Sequence, residues 1–273
     1  LTAPTETALY LSKLTGIPFG ATAYAHDIYV DNSGNAAKLR HASYVNATTR
    51  YNQRSLAALA SDHPEKILTL YYGIHTSSEF LPPEPRDTFT FLAVGRLVEK
   101  KGFDYLVDAC GMLKRRGREF SCKIAGQGPL EDELKAKIAE MDIGDRIVLS
   151  GYVPPNRMNG FYRGGDVLVA PCVEGKNGDV DGLPNVILEA MNYGLPVIGT
   201  TISGLPEAIL HGENGWLVPP NDAEALAEAM EDALAAPDLS SLRLASHRTV
   251  TERFDVTKNA IPIKELMEAA CGR

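Results

Sequence analysis

Short unbroken apolar runs recur along the chain and alternate with stretches whose apolar positions fall at helical spacing. "TFTFLAVG" (Thr88–Gly95) predicts a strand, and "FDYLVDACGMLKRRG" predicts a helix that stops at basic residues and Gly117. "FSCKIAG" then predicts a strand and "PLEDELKAKIAEM" a helix. "RIVLSG", "DVLVAP" and "LPVIGT" predict further strands, and "NDAEALAEAMEDALAA" an amphipathic helix with an Asn/Asp cap. The strand runs are continuous, not alternating, as a parallel sheet covered on both faces requires. Right-handed βαβ units then give a doubly wound α/β fold.

The theme is weaker before Thr88. "ETALYLSKLTG" predicts a helix, "IPFGATAY" and "ASYVNAT" strands, "RYNQRSLAALA" a helix and "KILTLYYGI" a strand. "LPPEPRD" (Leu81–Asp87), rich in proline and charge, predicts the linker between a unit over 1–84 and a unit over 85–273, the last helix of which is expected to cross back. The first unit is thin for an independent α/β domain.

Composition narrows the function classes. A chain of 273 residues with 44% apolar and 23% charged residues is globular, with room for one large domain or two ordinary ones. A net charge of −8 argues against a nucleic-acid partner. No apolar run is long enough to span a membrane. Cys110, Cys122, Cys172 and Cys271 form no CxxC pair, which disfavours a metal knuckle or disulfide framework and fits a cytoplasmic setting. Buried thiols are expected at Cys122 and Cys172.

The densest chemistry lies in "KNGDVDGLPNVILEAM", from Lys176. Asn177, Asp179 and Asp181 alternate ahead of Gly182, as in a calcium loop, but Leu188 holds the twelfth position and Glu189 comes one residue late. One residue rotates a helix by about 100°, so no metal is expected. Asp181 could instead cap the following helix, with Pro184 in its first turn, and such an N-terminus attracts anions. Glu189 sits among Val186, Ile187, Leu188, Ala190 and Met191. Sugar or ribose hydroxyls would satisfy it, and so would water if Asn185, Glu189 and Asn192 form a solvent stripe. In "VGRLVEKKGF", Arg96, Lys100 and Lys101 precede a helix, where positive charge has the wrong sign for the dipole unless an anion binds. A solvated basic turn is the plainer alternative. Gly126 and Gly128 in "IAGQGPL" lack a third glycine and read as a tight turn.

Together "GRLVEKKGFDYLVDA", "IAGQGPLEDELKA", "LSGYVPPNRM", "GKNGDVDGLPNVILEAMNYGLPVIGT" and "SGLPEAILHGENGWLVPPND" resemble the family-four nucleotide-sugar glycosyltransferases of the GT-B fold, closest to those that build bacterial surface polysaccharides. The resemblance implies two Rossmann-like domains with parallel sheets, the N-terminal one incomplete, and a chain that looks truncated at its start, with an uncovered sheet edge. It implies retaining transfer of a sugar from a UDP- or GDP-sugar donor to a glycan or lipid-linked acceptor, without cofactor or metal. Asp181 and Glu189 match the family's carboxylate pair, with Asp in place of the commoner Glu. Asp181 would contact the donor sugar and Glu189 the ribose. Arg96 and Lys101 match its diphosphate-binding pair beside Gly95. Gly182, Leu183 and Pro184 would bring backbone amides to the donor. In "TAYAHDIY", Tyr24 takes the place of the histidine that the family carries near the reacting sugar. His26, two residues on, is a substitute if i and i+2 share a strand face, and a structural surface histidine is the equal alternative. The resemblance also allows peripheral association with the inner face of a membrane and self-association through the incomplete first domain. A catalytically impaired nucleotide-sugar-binding fragment is the alternative, and a sugar-nucleotide epimerase a more distant one.

Overall fold

The computed structural model describes residues 1, 3–30, 34–60, 63–77, 80 and 86–272. Among them the chain forms two parallel sheets. The smaller half contains α1 (Ala3–Thr15), β1 (Gly20–Ala23), α2 (Ala25–Tyr29), α3 (Asn35–His41), β2 (Tyr44–Ala47), α4 (Arg50–Leu59) and β3 (Ile67–Thr69). The larger half contains β4 (Thr90–Val94), α5 (Phe103–Arg115), β5 (Ser121–Ala125), α6 (Glu131–Glu140), β6 (Ile147–Gly151), α7 (Pro155–Arg163), β7 (Val167–Ala170), α8 (Asn185–Asn192), β8 (Val197–Thr200), β9 (Gly215–Val218), α9 (Ala223–Ala235), α10 (Ser240–Arg253) and α11 (Val256–Ala270).

In the smaller sheet β2 lies between β1 and β3, and among the described residues β1 pairs only with β2. The larger sheet has the order β6-β5-β4-β7-β8-β9, every pair parallel. That is two right-handed sets wound outward from the β4/β7 boundary, the doubly wound arrangement. The apolar runs explain it. On β4, Phe91 and Ala93 enter the core shared with α5 and α9, whereas Leu92 enters the opposite core with α7, α8 and α10. Both faces are covered, so the strand gains nothing from polar alternation. Each large apolar side chain buried this way contributes about 1.5–3 kcal/mol.

Of the expected linker Leu81–Asp87, residues 81–85 lie outside the described residues. Arg86 is already tied to the larger half, with Nη1 3.2 Å from Asp166 Oδ1. The chain also returns. Ile74 N–H donates to the Phe254 carbonyl at 2.9 Å and Val256 N–H to the Ile74 carbonyl at 2.9 Å. The Asn259 amide donates to the Tyr71 carbonyl at 3.1 Å.

Candidate functional site

Ligands of open α/β sheets sit beyond the carboxyl ends of the strands, at the point where the winding reverses. Here that point is the gap between β4 and β7, facing the smaller half. Three hollows meet there. The first, about 420 Å³, is lined by Tyr24, His26 and Thr48 of the smaller half and by Lys100, Asp181 and Gly182 of the larger. The second, about 620 Å³, is lined by Tyr72, His75, Tyr162, Glu189 and Tyr193 among others. It shares Tyr72 and Asn185 with the first, and Val94 and Met158 with the third, so the three are parts of one trough. The third, about 300 Å³, is lined by Gly95, Arg96, Gly126, Gln127 and Tyr152.

The β4–α5 loop builds the basic end. After Gly95 the chain makes a 3-10 turn over Glu99–Lys101 and reaches α5 through Gly102 at φ 66°. A Cβ there would stand 1.8 Å from the Pro171 carbonyl oxygen, so the left-handed turn and the close approach both demand glycine. The β5 turn packs against the same loop. Leu97 N–H donates to the Gln127 carbonyl at 3.0 Å, and a Cβ on Gly126 would meet the Gly95 oxygen at 1.7 Å. The two glycines of "IAGQG" thus form the tight turn their spacing suggests, and that turn is one wall of the third hollow.

Lys101 and Arg96 flank Gly95 but do not point at one spot. Arg96 is exposed in the third hollow and makes no ion pair among the described residues. Lys101 Nζ lies 2.6 Å from Asp181 Oδ2. Lys100 Nζ lies 3.2 Å from Asp181 Oδ1 and 2.9 Å from Asp179. Burial pulls the Lys100 ammonium pKa down, but its hydrogen bond to Asp179 and the charge of Asp181 outweigh that and raise it. The Lys101–Asp181 contact is an ion pair off the angle of a hydrogen bond, so buried Asp181 Oδ2 has no hydrogen-bond donor.

Asp181 therefore does not cap α8, contrary to one sequence reading. The N-cap is Pro184 at φ −64° and ψ 131°, and no side chain caps the helix. The alternating acids are neutralised by lysines, and the chain between Asp181 and α8 is used for approach to the smaller half. Gly182 accepts a bond from Gly204 N–H at 2.9 Å, and a Cβ on Gly182 would stand 3.3 Å from Asn52 Nδ2. Gly182 and Leu183 line the first hollow. Pro184 is buried and has no N–H, so it presents no amide to a ligand.

Glu189 answers the stripe question. Ile187, Leu188, Ala190 and Met191 are buried, while Asn185, Glu189 and Asn192 share the remaining face. That face looks into the second hollow. Glu189 Oε2 accepts the Tyr162 hydroxyl at 2.7 Å, and Tyr162 stacks on Tyr193 with ring centroids 5.4 Å apart. Burial, the charge of Glu189 and the hydrogen bond to it all push the Tyr162 hydroxyl well above its ordinary pKa, so it stays a donor. The other oxygen of Glu189 has no hydrogen-bond partner among the described residues.

Tyr24 and His26 both line the first hollow, but not by strand alternation. β1 ends at Ala23, Tyr24 is the N-cap and His26 is in α2. Positions i and i+2 lie about 200° apart on a helix, so it is the extended backbone of the N-cap Tyr24, φ −103° and ψ 168°, at the entry to α2 that lets both side chains line the hollow. Asp27 Oδ2 accepts the Tyr24 N–H at 2.8 Å and fixes this entry. Sequence reasoning missed Tyr162, Tyr193, Tyr72 and Tyr152. The first two come from separate elements and carry no motif.

A family model described as Glycosyl transferases group 1 matches residues 88–236. The chain belongs to that family. The chain is similar to the putative colanic acid biosynthesis glycosyltransferase WcaL of Salmonella typhimurium, 36% identical over 171 residues, which are 62% of this chain and 42% of that protein. The amylovoran biosynthesis glycosyltransferase AmsK of Erwinia amylovora is 41% identical over 136 residues, 50% of this chain and 33% of that protein. The chain thus matches less than half the length of these curated relatives. Among solved structures, a glycosyltransferase from Rickettsia africae superposes with a TM-score of 0.80 at 21% identity, over 99% of this chain and 75% of that one. Anabaena HepE in complex with UDP gives 0.81 at 20% identity, over 97% and 76%. The α/β architecture with facing parallel sheets is that of GT-B glycosyltransferases, as the sequence resemblance implied. Among the described residues no helix is long and apolar enough to cross a membrane.

Proposed function

We propose that this chain binds a nucleoside-diphosphate sugar along the trough and takes part in retaining transfer of the sugar to a glycan or lipid-linked acceptor in surface-polysaccharide synthesis. The observation that carries the reading is the order of charges at the β4/β7 boundary. Arg96 is free at one end, Glu189 has one oxygen free in the middle, and a Lys101–Asp181 pair stands at the other end. Glu189 would take ribose hydroxyls, and Asp181 a hydroxyl of the donor sugar at its donorless Oδ2. Lys101, between the ribose and sugar positions, would neutralise the charge that develops on the diphosphate as the anomeric bond breaks, and the exposed Arg96 would have to swing out of the third hollow to join it, which lowers the barrier once both cations are in place. For this, Lys101 must turn its Nζ from Asp181 toward the diphosphate. Lys100, 3.2 Å from the same carboxylate, remains to balance it. His26 and Tyr24 face the sugar from the smaller half. The similarity to colanic acid and amylovoran biosynthesis glycosyltransferases supports the polysaccharide setting.

Calorimetric titration with UDP- and GDP-sugars, followed by product analysis, tests the proposal. Transferred sugar with the donor's anomeric configuration supports it. Bound nucleotide without turnover reduces it to a binding fragment, and an epimerised donor replaces it.

A further inference from the structure

Glu207 closes the 3-10 turn Leu205–Glu207 after β8, on the larger half. Its carboxylate reaches across to the smaller half. Oε2 accepts Arg50 N–H at 2.8 Å and Oε1 accepts Tyr51 N–H at 2.9 Å. The Tyr71 hydroxyl adds a third bond to Oε2 at 2.9 Å. Arg50 and Tyr51 open α4, where backbone amides have no partner within the helix. Among the described residues the side chain of the N-cap Thr49 accepts only from Asn52 N–H, at 3.0 Å. Glu207, distant in sequence, supplies what the first two amides lack, with the charge that a helix N-terminus favours.

The first turn of α4 is also a support of the first hollow. Thr48 lines it. Tyr29 of α2 donates its hydroxyl to Asn52 Oδ1 at 3.2 Å, which ties the element carrying His26 to α4. On the other side Gly204, in the same turn as Glu207, donates to the Gly182 carbonyl, beside Asp181. Thr49 Cγ2 comes within 2.6 Å of where a Cβ on Gly204 would stand. One contact thus joins the Asp181 loop, the β8 turn and α4.

We propose that Glu207 is a positioning residue that sets the width of the cleft: by capping α4 across the gap it holds His26, Tyr24 and Thr48 at a fixed distance from Asp181. The consequence for catalysis rests on the glycosyl-transfer reading; the clasp itself does not. Arg96, Lys101 and Glu189 all belong to the larger half, so loosening the clasp spares donor binding and misplaces the opposite wall. Displacements of about 1 Å in such a wall can cost about a hundredfold in rate.

The test uses spin labels at Ala58→Cys on α4 and Glu228→Cys on α9, both exposed, in a Cys271→Ser background that removes the exposed thiol. Without further change a single narrow distance is expected. Glu207→Gln turns an NH₂ toward one of the two amides and is expected to add a longer, broader population. Tyr71→Phe leaves both caps and is expected to match the parent. If Glu207→Gln melts the smaller half, Glu207→Asp keeps the charge with a shorter reach, and the same widening is expected. In a transfer assay Glu207→Gln is expected to lower kcat by about tenfold or more, with the donor Kd within about threefold. An unchanged distance distribution in both Glu207 variants overturns the proposal, as does a donor Kd that weakens in step with kcat. Widening in a chain that never transfers sugar upholds the clasp and removes the transfer reading alone.

Discussion

Replacing Glu189 by Ala has two separable consequences, because its two oxygens have different partners. Oε2 accepts the hydroxyl of Tyr162, a residue only 1% exposed. Removing the carboxylate leaves that hydroxyl without an acceptor, and an unsatisfied buried polar group costs about 1–3 kcal/mol. Adding Tyr162→Phe removes the orphaned group, so the double variant is expected to recover most of that loss; Tyr162→Phe alone loses one hydrogen bond, about 1 kcal/mol. Ligand binding follows the other oxygen. Losing charge-assisted bonds to ribose hydroxyls is expected to weaken UDP or GDP by about 1–3 kcal/mol, roughly fivefold to a little over a hundredfold in Kd. The double variant cannot restore that. Urea unfolding and calorimetric titration of the four proteins read the two effects independently. If nucleotide affinity returns with stability in the double variant, Glu189 acts only through Tyr162 and the ribose role is wrong. If Glu189→Ala binds as tightly as the parent while folded, its face is a solvent stripe after all.

Other outcomes follow from the same geometry. Charge reversal at Arg96 or Lys101 is expected to weaken UDP or GDP more than the matching monophosphate or nucleoside; equal losses for all three ligands would remove both residues from the diphosphate. Calcium and EDTA are expected to leave the melting temperature unchanged, since Asp179 and Asp181 already pair with lysines; a calcium-dependent rise would reveal a native-state site. Gly102→Ala is expected to destabilise by about 2 kcal/mol or more in urea titration, from the left-handed backbone and the collision with the Pro171 carbonyl; a smaller loss means the β4–α5 loop yields easily. At pH 8 a thiol reagent is expected to find Cys271 alone in the folded chain and all four cysteines after unfolding. Burial pushes Cys172 up to about 12 and raises Cys110 as well.

From Thr90 to Ala235 the apolar runs located β4, α5, β5, α6, β6, β7, β8 and α9 to within a few residues but left α7 and β9, in the same stretch, unlocated. Continuous apolar strands alternating with helices that each bury one apolar face leave little else to form, although of these helices only α9 carries a side-chain cap. The signal failed where burial is shallow or the segment short. α2 is 5 residues and α3 is 7, with polar faces. A last helix was expected and α11 is there, but α10, 14 residues long, was not anticipated. In the candidate site, charged residues in one loop were legible because their sign conflicts with the following helix. Tyr162 was not, because its partner is a carboxylate 27 residues away. Glu207 was invisible for a stronger reason: it serves backbone amides, which have no letter in the sequence.

The return of the chain has a mechanical meaning. Two bodies joined by one tether can swivel about three axes. Here the outgoing segment at Ile74 and the returning segment at Phe254–Val256 cross side by side and are bonded to each other. Two parallel tethers suppress swivel and twist and leave a single rotation, like the leaves of a book about its spine. Any relative rotation of the halves is then expected to turn about the line where these two segments cross, with the Glu207 contacts to α4 resisting it.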